Sequence, residues 1–262
     1  MIKSMKGAFC LKGKTAIVTG GNRGIGLGIA EAFAQQGANV AILCRDEKTA
    51  NAVVDRFSKE YDGKFAFYRT DVTDKDNCKA SVNAVAADFG GIDILVNNSG
   101  IGVTGRLLDM DESLSDWDRC LDVDLYGGLR MTYFAAKHMV SAGKGGKIIN
   151  ITSNASLVIN KPVPLNAYSV AKAAFNQMTK AWATELGEYG INVNAIAPGY
   201  TNSDLAKDID AELKGILLSK MPISRFGEPI EIGALAVYLA SEASEMMTGV
   251  ILAIDGGYVL AV

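Results

Sequence analysis

The sequence predicts an α/β protein built as a single domain, with one parallel sheet of seven strands covered by helices on both faces. Short apolar runs alternate with helix-like segments as far as Pro198. The runs lack polar alternation, which is the pattern of strands buried on both faces. Strand–helix–strand repeats of this kind connect parallel strands by right-handed crossovers. Because no repeat, low-complexity tract or Pro/Ser-rich linker divides the chain, we expect one doubly wound domain over residues 1–262.

The individual elements follow from these runs. We predict strands at residues 15–18, 40–43, 65–68, 94–96, 147–151, 192–196 and 250–254. We predict helices at residues 25–36, 48–61, 76–89, 121–141, 167–189 and near 230–241. The alternation breaks after Pro198, where residues 200–220 form a polar stretch. All five prolines lie at or after Pro162, so we expect the irregular loops that meet a substrate in this part of the chain.

Composition excludes several classes of protein. A net charge of -3 gives no electrostatic reason to expect nucleic acid or an anionic membrane as partner. The four cysteines include no C-x-x-C pair, so we predict reduced thiols without a disulfide framework or a zinc site. One histidine, His138, is too few for a multi-histidine metal centre. No apolar run approaches a membrane span or a signal peptide, so we predict a soluble, cytoplasmic protein without a metal.

A glycine-rich segment at residues 19–26 separates the first predicted strand from the first predicted helix. Its glycines are Gly20, Gly24 and Gly26, with the spacing G-x-x-x-G-x-G. Glycine permits close backbone approach, and free amide groups at a helix N-terminus attract a pyrophosphate. Most glycine triplets are simple turns, but this one directly follows a strand and opens a helix. It predicts a Rossmann-type dinucleotide site.

The end of the second predicted strand indicates which dinucleotide binds. NAD sites usually place Asp or Glu there, which binds the ribose hydroxyls and repels a 2′-phosphate. Here Cys44 takes that position and Arg45 follows it, while Arg23 lies inside the glycine-rich segment. Two guanidinium groups suit an additional phosphate. Although Asp46 adds a negative charge nearby, we predict NADP(H) as the cofactor.

A serine, a tyrosine and a lysine between residues 149 and 172 suggest proton-transfer chemistry. Ser153 follows an apolar run, and Tyr168 and Lys172 are four residues apart, which places them on one face of a helix. A nearby cation favours the phenolate and lowers the tyrosine pKa. The pair then supplies a proton donor and acceptor near neutral pH, with Ser153 holding a carbonyl oxygen beside it. On its own, such a pair is usually a solvated surface contact, so the evidence for a catalytic role depends on the predicted cofactor site nearby.

The chain resembles the short-chain dehydrogenase/reductase family from Leu11 to Gly257. The motifs that carry this resemblance, in the family's order, are TGGNRGIG, Asp71-Val72, Asn97-Asn98-Ser99-Gly100, Ser153, Tyr168-x-x-x-Lys172, Pro198-Gly199 and Asp255-Gly256-Gly257. The resemblance implies that Tyr168 is the general acid/base and that Ser153 orients the carbonyl. It implies that Lys172 lowers the Tyr168 pKa and holds the nicotinamide ribose. It also implies a homotetramer whose dimer-forming helices are those at residues 121–141 and 167–189.

The same resemblance implies a set of cofactor contacts. In the family, the Asp-Val pair borders the adenine, the first Asn of the N-N-x-G motif supports the ribose, and the segment after Pro-Gly contacts the carboxamide. The implied cofactor-binding residues are Gly20, Asn22, Arg23, Gly24, Ile25, Gly26, Arg45, Asp71, Val72, Asn97, Ser99, Gly100, Tyr168, Lys172, Pro198, Gly199, Thr201 and Ser203. Two of them depart from the usual pattern, since Ser99 replaces Ala and Ser203 replaces Thr.

Asp124 is a further departure, because most family members have the Asn of the catalytic tetrad there. In those relatives the Asn holds a water that links the catalytic lysine to solvent. An ionised carboxylate only accepts hydrogen bonds, but it can still hold a water through its protons. If Asp124 lies near Lys172, its charge favours the ammonium and raises the Tyr168 pKa. The alternative is that Asp124 turns outward or satisfies a helix kink and has no influence on the chemistry.

The substrate pocket is expected at residues 101–104, 154–160 and 200–220. The predicted substrate residues are Ser153, Asn154, Asn160, Tyr168 and Tyr200. Paired donors and acceptors suit a hydroxyl-rich ligand, since unmatched buried polar groups are unfavourable. Asparagine is equally common as a turn residue, so a purely structural role for the asparagines stays open.

Within the family, the resemblance favours polyol and keto-sugar reductases such as sorbose reductase, mannitol 2-dehydrogenase and gluconate 5-dehydrogenase. The main enzymatic alternative is a 3-oxoacyl-carrier-protein reductase, which would need a basic patch near the pocket for the phosphopantetheine arm. The region around Arg225 and residues 200–220 shows no obvious cluster of that kind. A third alternative is a nucleotide-binding scaffold without turnover, which the intact Ser153, Tyr168 and Lys172 disfavour.

Overall fold

The computed structural model describes residues 7–159, 163–164, 166–207 and 209–261, and seven parallel strands in this part of the chain form one sheet. The strands are β1 (Thr15–Thr19), β2 (Asn39–Cys44), β3 (Phe65–Arg69), β4 (Ile94–Asn97), β5 (Gly146–Ile151), β6 (Ile191–Pro198) and β7 (Ile251–Ile254). Their order across the sheet is β3-β2-β1-β4-β5-β6-β7. Thr15 of β1 pairs with Asn39 of β2, and Ala16 pairs with Ile94 of β4. The predicted doubly wound Rossmann fold with seven parallel strands is confirmed.

All the α-helices of the described residues lie between β1 and β7 along the chain. The α-helices are α1 (Gly24–Gln35), α2 (Glu47–Glu60), α3 (Lys75–Phe89), α4 (Ser115–Leu121), α5 (Gly127–Ala142), α6 (Asn166–Leu186), α7 (Ala211–Ser219) and α8 (Pro229–Ala240). The starts of α2 and α3 carry capping side chains, which satisfy free amide groups of the first turn. Asp46 accepts from the Thr49 amide at 3.2 Å, and Asp74 accepts from the amides of Asp76 and Asn77 at 2.9 Å.

The helices cover both faces of the sheet. On one face α1, α2 and α8 pack on the central strands, with Phe33, Phe57 and Ile232 fully buried or nearly so. On the other face α3, α5 and α6 contribute residues such as Val82 and Met131. Burial of each such side chain stabilises the fold by about 1.5–3 kcal/mol. Two apolar layers therefore hold the strand ends in fixed positions.

The strand order reverses between β1 and β4, and sheets of this type bind ligands at the carboxyl ends of the strands near such a reversal. The predicted site residues lie at these ends. Gly20 follows β1, Arg45 follows β2, Asn97 ends β4 and Ser153 comes two residues after β5. The fold thus brings to one edge residues that are far apart in the sequence.

Two predicted elements are corrected by the structure. The helix predicted over residues 121–141 consists of α4, a π-helical segment (Asp122–Tyr126) and α5. The stretch at residues 200–220, predicted only as polar, contains a 3-10 turn (Asp204–Ala206) and α7. Leu217 of α7 is fully buried against Phe226 and Tyr258. Tertiary packing therefore stabilises this helix, although the polar residues around it give no helical pattern in the sequence.

Candidate active site

The turn between β1 and α1 forms a cradle at the start of α1. Gly20 and Gly24 have φ angles of +65° and +51°, a region that favours glycine. A Cβ on Gly26 would lie 2.2 Å from the Gly20 carbonyl oxygen, so only glycine lets the turn close onto the helix. The first amide groups of α1, including that of Ile25, have no partner within the helix and are available to an anion. The backbone here fits a pyrophosphate.

Asn98 ties this cradle to β4, a role that the sequence analysis missed. Its side-chain amide donates to the Thr19 carbonyl at 2.9 Å. The backbone amides of Asn98 and Ser99 both donate to the Thr19 hydroxyl, at 2.9 and 3.0 Å. The signal was its place beside Asn97 at the end of the strand that neighbours β1. Gly100 follows closely, and a Cβ there would lie 2.6 Å from Asp124 Oδ1.

The two predicted nucleotide-binding arginines are Arg23 in the turn of the cradle and Arg45 directly after β2. Their side chains are 71% and 72% exposed, with Arg23 3.4 Å from Asp204 and Arg45 3.8 Å from Asp71. The Arg23 guanidinium is close enough to Cys44 to act on its charge, although burial is the larger effect and raises the Cys44 pKa to about 11. Both cations are therefore available where a ribose phosphate would lie.

Three further residues that are predicted to bind the cofactor lie at the same edge of the sheet, and they differ in their contacts with the rest of the protein. Asn22 donates to the Thr49 hydroxyl at 2.7 Å, so its side chain fastens the cradle to α2. Burial acts to raise the Asp71 pKa, but hydrogen bonds from Thr73 and the charge of Arg45 outweigh it and the pKa is lowered. Val72 is buried beside Gly127.

Asn97 belongs to a buried polar network within the sheet. Its amide nitrogen donates to Thr132 and to Asn150, at 2.8 Å each, and Asn150 donates to Thr179 at 2.9 Å. Both hydrogens of the Asn97 side-chain nitrogen are thus used in hydrogen bonds within the protein. Its buried oxygen has no hydrogen-bond partner among the described residues.

Ser153 begins a 3-10 turn (Asn154–Ser156) beyond the end of β5. Its hydroxyl accepts from the Ala155 amide at 3.1 Å and donates to Asn154 Oδ1 at 3.3 Å. Ser153 also forms a side-chain hydrogen bond with Tyr168. The turn therefore presents the Ser153 hydroxyl to the Tyr168 hydroxyl, as the sequence predicted.

Tyr168 and Lys172 share one face of α6, as their spacing predicts. The Lys172 ammonium lies 5.5 Å from the centre of the Tyr168 ring and donates to the Ile151 carbonyl at 3.2 Å. Lys172 is only 3% exposed, whereas Tyr168 is half-buried. The phenol can therefore be reached from outside, while the cation that influences it is shielded from water.

Asp124 faces Lys172, which excludes the alternative that it turns outward. Its Oδ1 lies 3.0 Å from the Lys172 ammonium, and its Oδ2 accepts from the Ile101 amide at 2.9 Å. Asp124 is 1% exposed and lies within the π-helical segment, whose type often occurs at functional sites. Cys120, one turn earlier and missed by the sequence analysis, contacts Oδ2 at 3.9 Å.

The charges of this group shift two pKa values. Burial raises the Tyr168 pKa; the Lys172 charge and the Ser153 hydrogen bond oppose this shift, and the Asp124 charge adds to it. Burial acts to lower the Lys172 pKa, but the charges of Asp124 and Tyr168 outweigh it, so the pKa is raised. Lys172 therefore remains an ammonium ion, and Tyr168 favours the protonated form of a proton donor.

The segment after β6 closes the site on its other side. Pro198 ends β6, and a Cβ on Gly199 would lie 2.6 Å from Asp255 Cβ, so the chain passes close to β7. Thr201 is buried and donates to the Gly199 carbonyl at 3.1 Å. Ser203 lies against the cradle, since a Cβ on Gly24 would meet Ser203 Cβ at 3.4 Å.

The structure describes four of the five predicted substrate residues. Asn154 is buried beside Ser153, and Tyr200 is half-buried. The Tyr200 ring stacks on Phe226 at 5.6 Å between centroids and meets Tyr258 edge-on at 5.5 Å. Asn160 lies outside the described residues.

Comparison with known proteins reveals the family. A family model described as "Enoyl-(Acyl carrier protein) reductase" matches residues 20–259. A crystal structure of a short-chain type dehydrogenase/reductase from Mycobacterium marinum superposes with a TM-score of 0.93 and 38% identity, covering 97% of this chain and 99% of that one. The chain belongs to the short-chain dehydrogenase/reductase family. As a member of it, the protein is an oxidoreductase that acts on a CH–OH or carbonyl group and binds a nicotinamide cofactor.

Other relatives of this short-chain dehydrogenase/reductase differ in their named substrates. A 3-oxoacyl-[acyl-carrier-protein] reductase of Chlamydia muridarum is 38% identical over 94% of this chain and 98% of its own length. Sorbose reductase of Candida albicans is 37% identical over 95% of this chain and 88% of its own length. A gluconate 5-dehydrogenase from Burkholderia cenocepacia, crystallised with NADP and tartrate, has a TM-score of 0.90 and 34% identity, covering 97% and 98% of the two chains.

Within the described residues, no helix of this short-chain dehydrogenase/reductase is both long and apolar enough to cross a membrane.

Proposed function

We propose that the protein interconverts a keto-sugar and its polyol with NADP(H) as the redox partner. The observation that carries the proposal is the convergence of Ser153, Tyr168 and Lys172 at the edge of the sheet that also holds the glycine cradle. A hydroxyl donor, a reachable phenol and a shielded ammonium are what carbonyl reduction needs apart from the hydride. The nicotinamide, when bound, supplies or accepts that hydride.

The protein's own side chains would position the substrate and move the proton. Ser153 donates to the carbonyl oxygen, which turns that oxygen towards Tyr168. As negative charge develops on it, Tyr168 transfers its hydroxyl proton to the oxygen, and the resulting phenolate is stabilised by the Lys172 charge. In oxidation the phenolate removes the proton from the alcohol. Asp124 keeps Lys172 charged in both directions.

The choice of NADP(H) is supported by the end of β2. Cys44 stands where an acidic residue would repel a 2′-phosphate, and it is mostly buried with a raised pKa, hence uncharged. Arg23 and Arg45 are largely exposed at the same place. Each charge-assisted contact to the phosphate would contribute roughly 1.5–3 kcal/mol. Binding of NADP by the related gluconate 5-dehydrogenase agrees with this assignment.

A hydroxyl-rich substrate is supported by polar groups beside Ser153. Asn154 is buried next to the reacting position, and its side-chain amide offers both a donor and an acceptor to a substrate hydroxyl once the Ser153 hydroxyl turns from Asn154 to the carbonyl oxygen. The named substrates of the sorbose and gluconate enzymes belong to this chemical class.

A 3-oxoacyl-carrier-protein reductase is the second candidate, since the Chlamydia muridarum enzyme is equally similar in sequence. The charges around the closing segment argue against it. Arg225 is held by Glu231 through two hydrogen bonds at 2.8 and 2.6 Å, and Lys207 is paired with Asp204. Both cations are held by their carboxylates at closer range than Arg23 and Arg45, whose carboxylate partners lie 3.4 and 3.8 Å away, so they are less available to an anionic phosphopantetheine arm.

We also propose a homotetramer. Tyr126 at the end of the π-helical segment and Leu129 and Tyr133 on α5 are exposed, and Val170 is 49% exposed on α6. Large apolar side chains spaced along exposed helix faces are typical of subunit contacts. Sedimentation velocity would show a species near four times 27.7 kDa, and a monomer would contradict this part of the proposal.

The function is tested by following NADPH absorbance with a panel of ketoses, keto-acids, diketones and an acetoacetyl thioester. We expect the highest kcat/KM with a ketose or a keto-gluconate. Preference for the acetoacetyl thioester would support the carrier-protein alternative. Tight NADPH binding without turnover on any member would favour the scaffold alternative.

A further inference from the structure

Asn176 connects α6 to the 3-10 turn that Ser153 begins, and the reaction proposed above gives Asn176 no role. It follows Lys172 by four residues, so Tyr168, Lys172 and Asn176 lie on one face of α6. Its side chain is 8% exposed, and its amide nitrogen donates to the Ser156 hydroxyl at 2.8 Å. Asn176 therefore reaches across to the 3-10 turn that Ser153 begins.

Ser156 in turn forms two hydrogen bonds with Ser153. The Ser156 amide donates to the Ser153 carbonyl at 3.0 Å, and the Ser156 hydroxyl donates to the same carbonyl. On the other side of Ser153, the Ala155 amide donates to the Ser153 hydroxyl oxygen. The turn is thus closed on itself, and Asn176 fixes its far corner to α6.

A second tie from the same helix face holds the strand that leads into the turn. The Lys172 ammonium donates to the Ile151 carbonyl at 3.2 Å, two residues before Ser153. The strand end and the far side of the turn are therefore both anchored to α6. Since Tyr168 is on that helix, these two ties set the distance between the Ser153 and Tyr168 hydroxyls.

Stability alone does not explain an asparagine at this position. The Asn176 side-chain oxygen is buried and has no hydrogen-bond partner among the described residues. An unpaired buried carbonyl is unfavourable, and replacing both ends of a polar contact by apolar groups of similar shape is nearly neutral. The unpaired Asn176 oxygen thus lowers the stability of the fold, and the hydrogen bond from the Asn176 amide to Ser156 offsets this loss only in part.

We infer that Asn176, acting through Ser156, is a positioning residue that holds Ser153 at the correct distance from Tyr168 for carbonyl reduction. The inference rests on the catalytic roles proposed above for Ser153 and Tyr168. A small displacement of a reacting group is sufficient to lower the rate strongly. Neither Asn176 nor Ser156 needs to touch the substrate or the cofactor for this effect.

The test compares Asn176→Leu, Ser156→Ala and the double variant with the unaltered protein, using the best substrate of the panel. We expect each single variant to lose about 10- to 100-fold in kcat, with KM and the NADPH dissociation constant within about twofold. Asn176→Leu should keep or raise the midpoint of thermal unfolding. The double variant should be no worse than the poorer single variant, because both changes break one chain of contacts.

Two further variants separate positioning from general structural damage. Ser156→Thr keeps the hydroxyl and should retain most of the kcat. Asn194 on β6 is a buried asparagine whose amide donates to Met247 at 2.8 Å and whose oxygen accepts from Val250 at 3.2 Å. Asn194→Leu should therefore lower stability without changing kcat of the folded protein.

The inference is wrong if kcat of Asn176→Leu stays within twofold of the unaltered protein, or if the losses of the two single variants multiply. If Asn176→Leu does not fold, Ser156→Ala and Ser156→Thr decide, since an unchanged kcat in Ser156→Ala also overturns it. Failure of the proposed function has a different signature, in which the unaltered protein itself turns over no member of the panel.

Discussion

Replacing Asp124 by Asn removes one buried negative charge from the catalytic group and should change the pH dependence of alcohol oxidation. Oxidation needs Tyr168 as the phenolate, and the Asp124 charge opposes that form. Removing the charge stabilises the phenolate relative to the phenol. The Tyr168 pKa therefore falls, and we expect the basic-side inflection of kcat to move to lower pH while the variant stays active.

The size of this shift follows from two distances. Lys172 Nζ lies 3.0 Å from Asp124 Oδ1 and 5.5 Å from the Tyr168 ring centre, so the carboxylate is at most 3.0 + 5.5 = 8.5 Å from that centre. At an effective dielectric constant of about 20, two charges at that largest separation interact by roughly 2 kcal/mol. Because Tyr168 keeps some exposed surface, solvent screens part of this interaction, and we expect the inflection to move to lower pH by less than the unscreened interaction would produce.

The measurement is kcat for oxidation of a secondary alcohol with NADP+ across the alkaline range. Asp122→Asn is the matched control, since Asp122 lies in the same π-helical segment but pairs with Arg130 at 2.7 Å instead of Lys172. It should leave the inflection in place. An unchanged profile and turnover in Asp124→Asn, or an equal shift in Asp122→Asn, would refute the reasoning.

The same substitution should also lower stability. The carboxylate accepts from the Ile101 amide with one oxygen and faces the Lys172 ammonium with the other. An amide has one acceptor oxygen, so it must turn an N–H donor towards one of these two donors. Leaving a buried charged group poorly paired costs about 1–3 kcal/mol, which calorimetry at neutral pH would detect as a lower Tm.

Three other outcomes follow from the structure. Tyr168→Phe should abolish turnover and leave NADPH binding within about twofold, because it removes the phenol that transfers the proton but not the cradle; substantial activity would rule out the proposed mechanism. Arg45→Asp should weaken NADPH binding by about tenfold or more with little effect on NADH, as titration of each cofactor would show, and equal binding of both by the unaltered protein would contradict the assignment. A thiol reagent at pH 8 should modify Cys10 first in the folded protein, because Cys10 is exposed while burial raises the pKa of Cys78 to about 11 and of Cys120 to about 12; rapid reaction of a second thiol would contradict this burial.

Sequence alone determined the fold of this protein and the positions of its candidate site residues along the chain. Short continuous apolar runs are typical of strands buried on both faces, and their regular alternation with longer helix-like segments indicates a parallel doubly wound sheet. Glycine at Gly20, Gly24 and Gly26 and the i, i+4 spacing of Tyr168 and Lys172 are local rules, which short-range sterics and helix geometry enforce wherever the chain goes.

Tertiary structure decided the contacts between segments that are distant in the chain. The sequence left open whether Asp124 faces Lys172, because a π-helical segment shifts the register of its side chains and no local pattern announces it. It assigned no role to Asn98 or Asn176, since each acts on a turn that lies far away along the chain. Such contacts depend on how the strands are ordered in the sheet and on which helix packs over each strand end, and only the folded chain sets both.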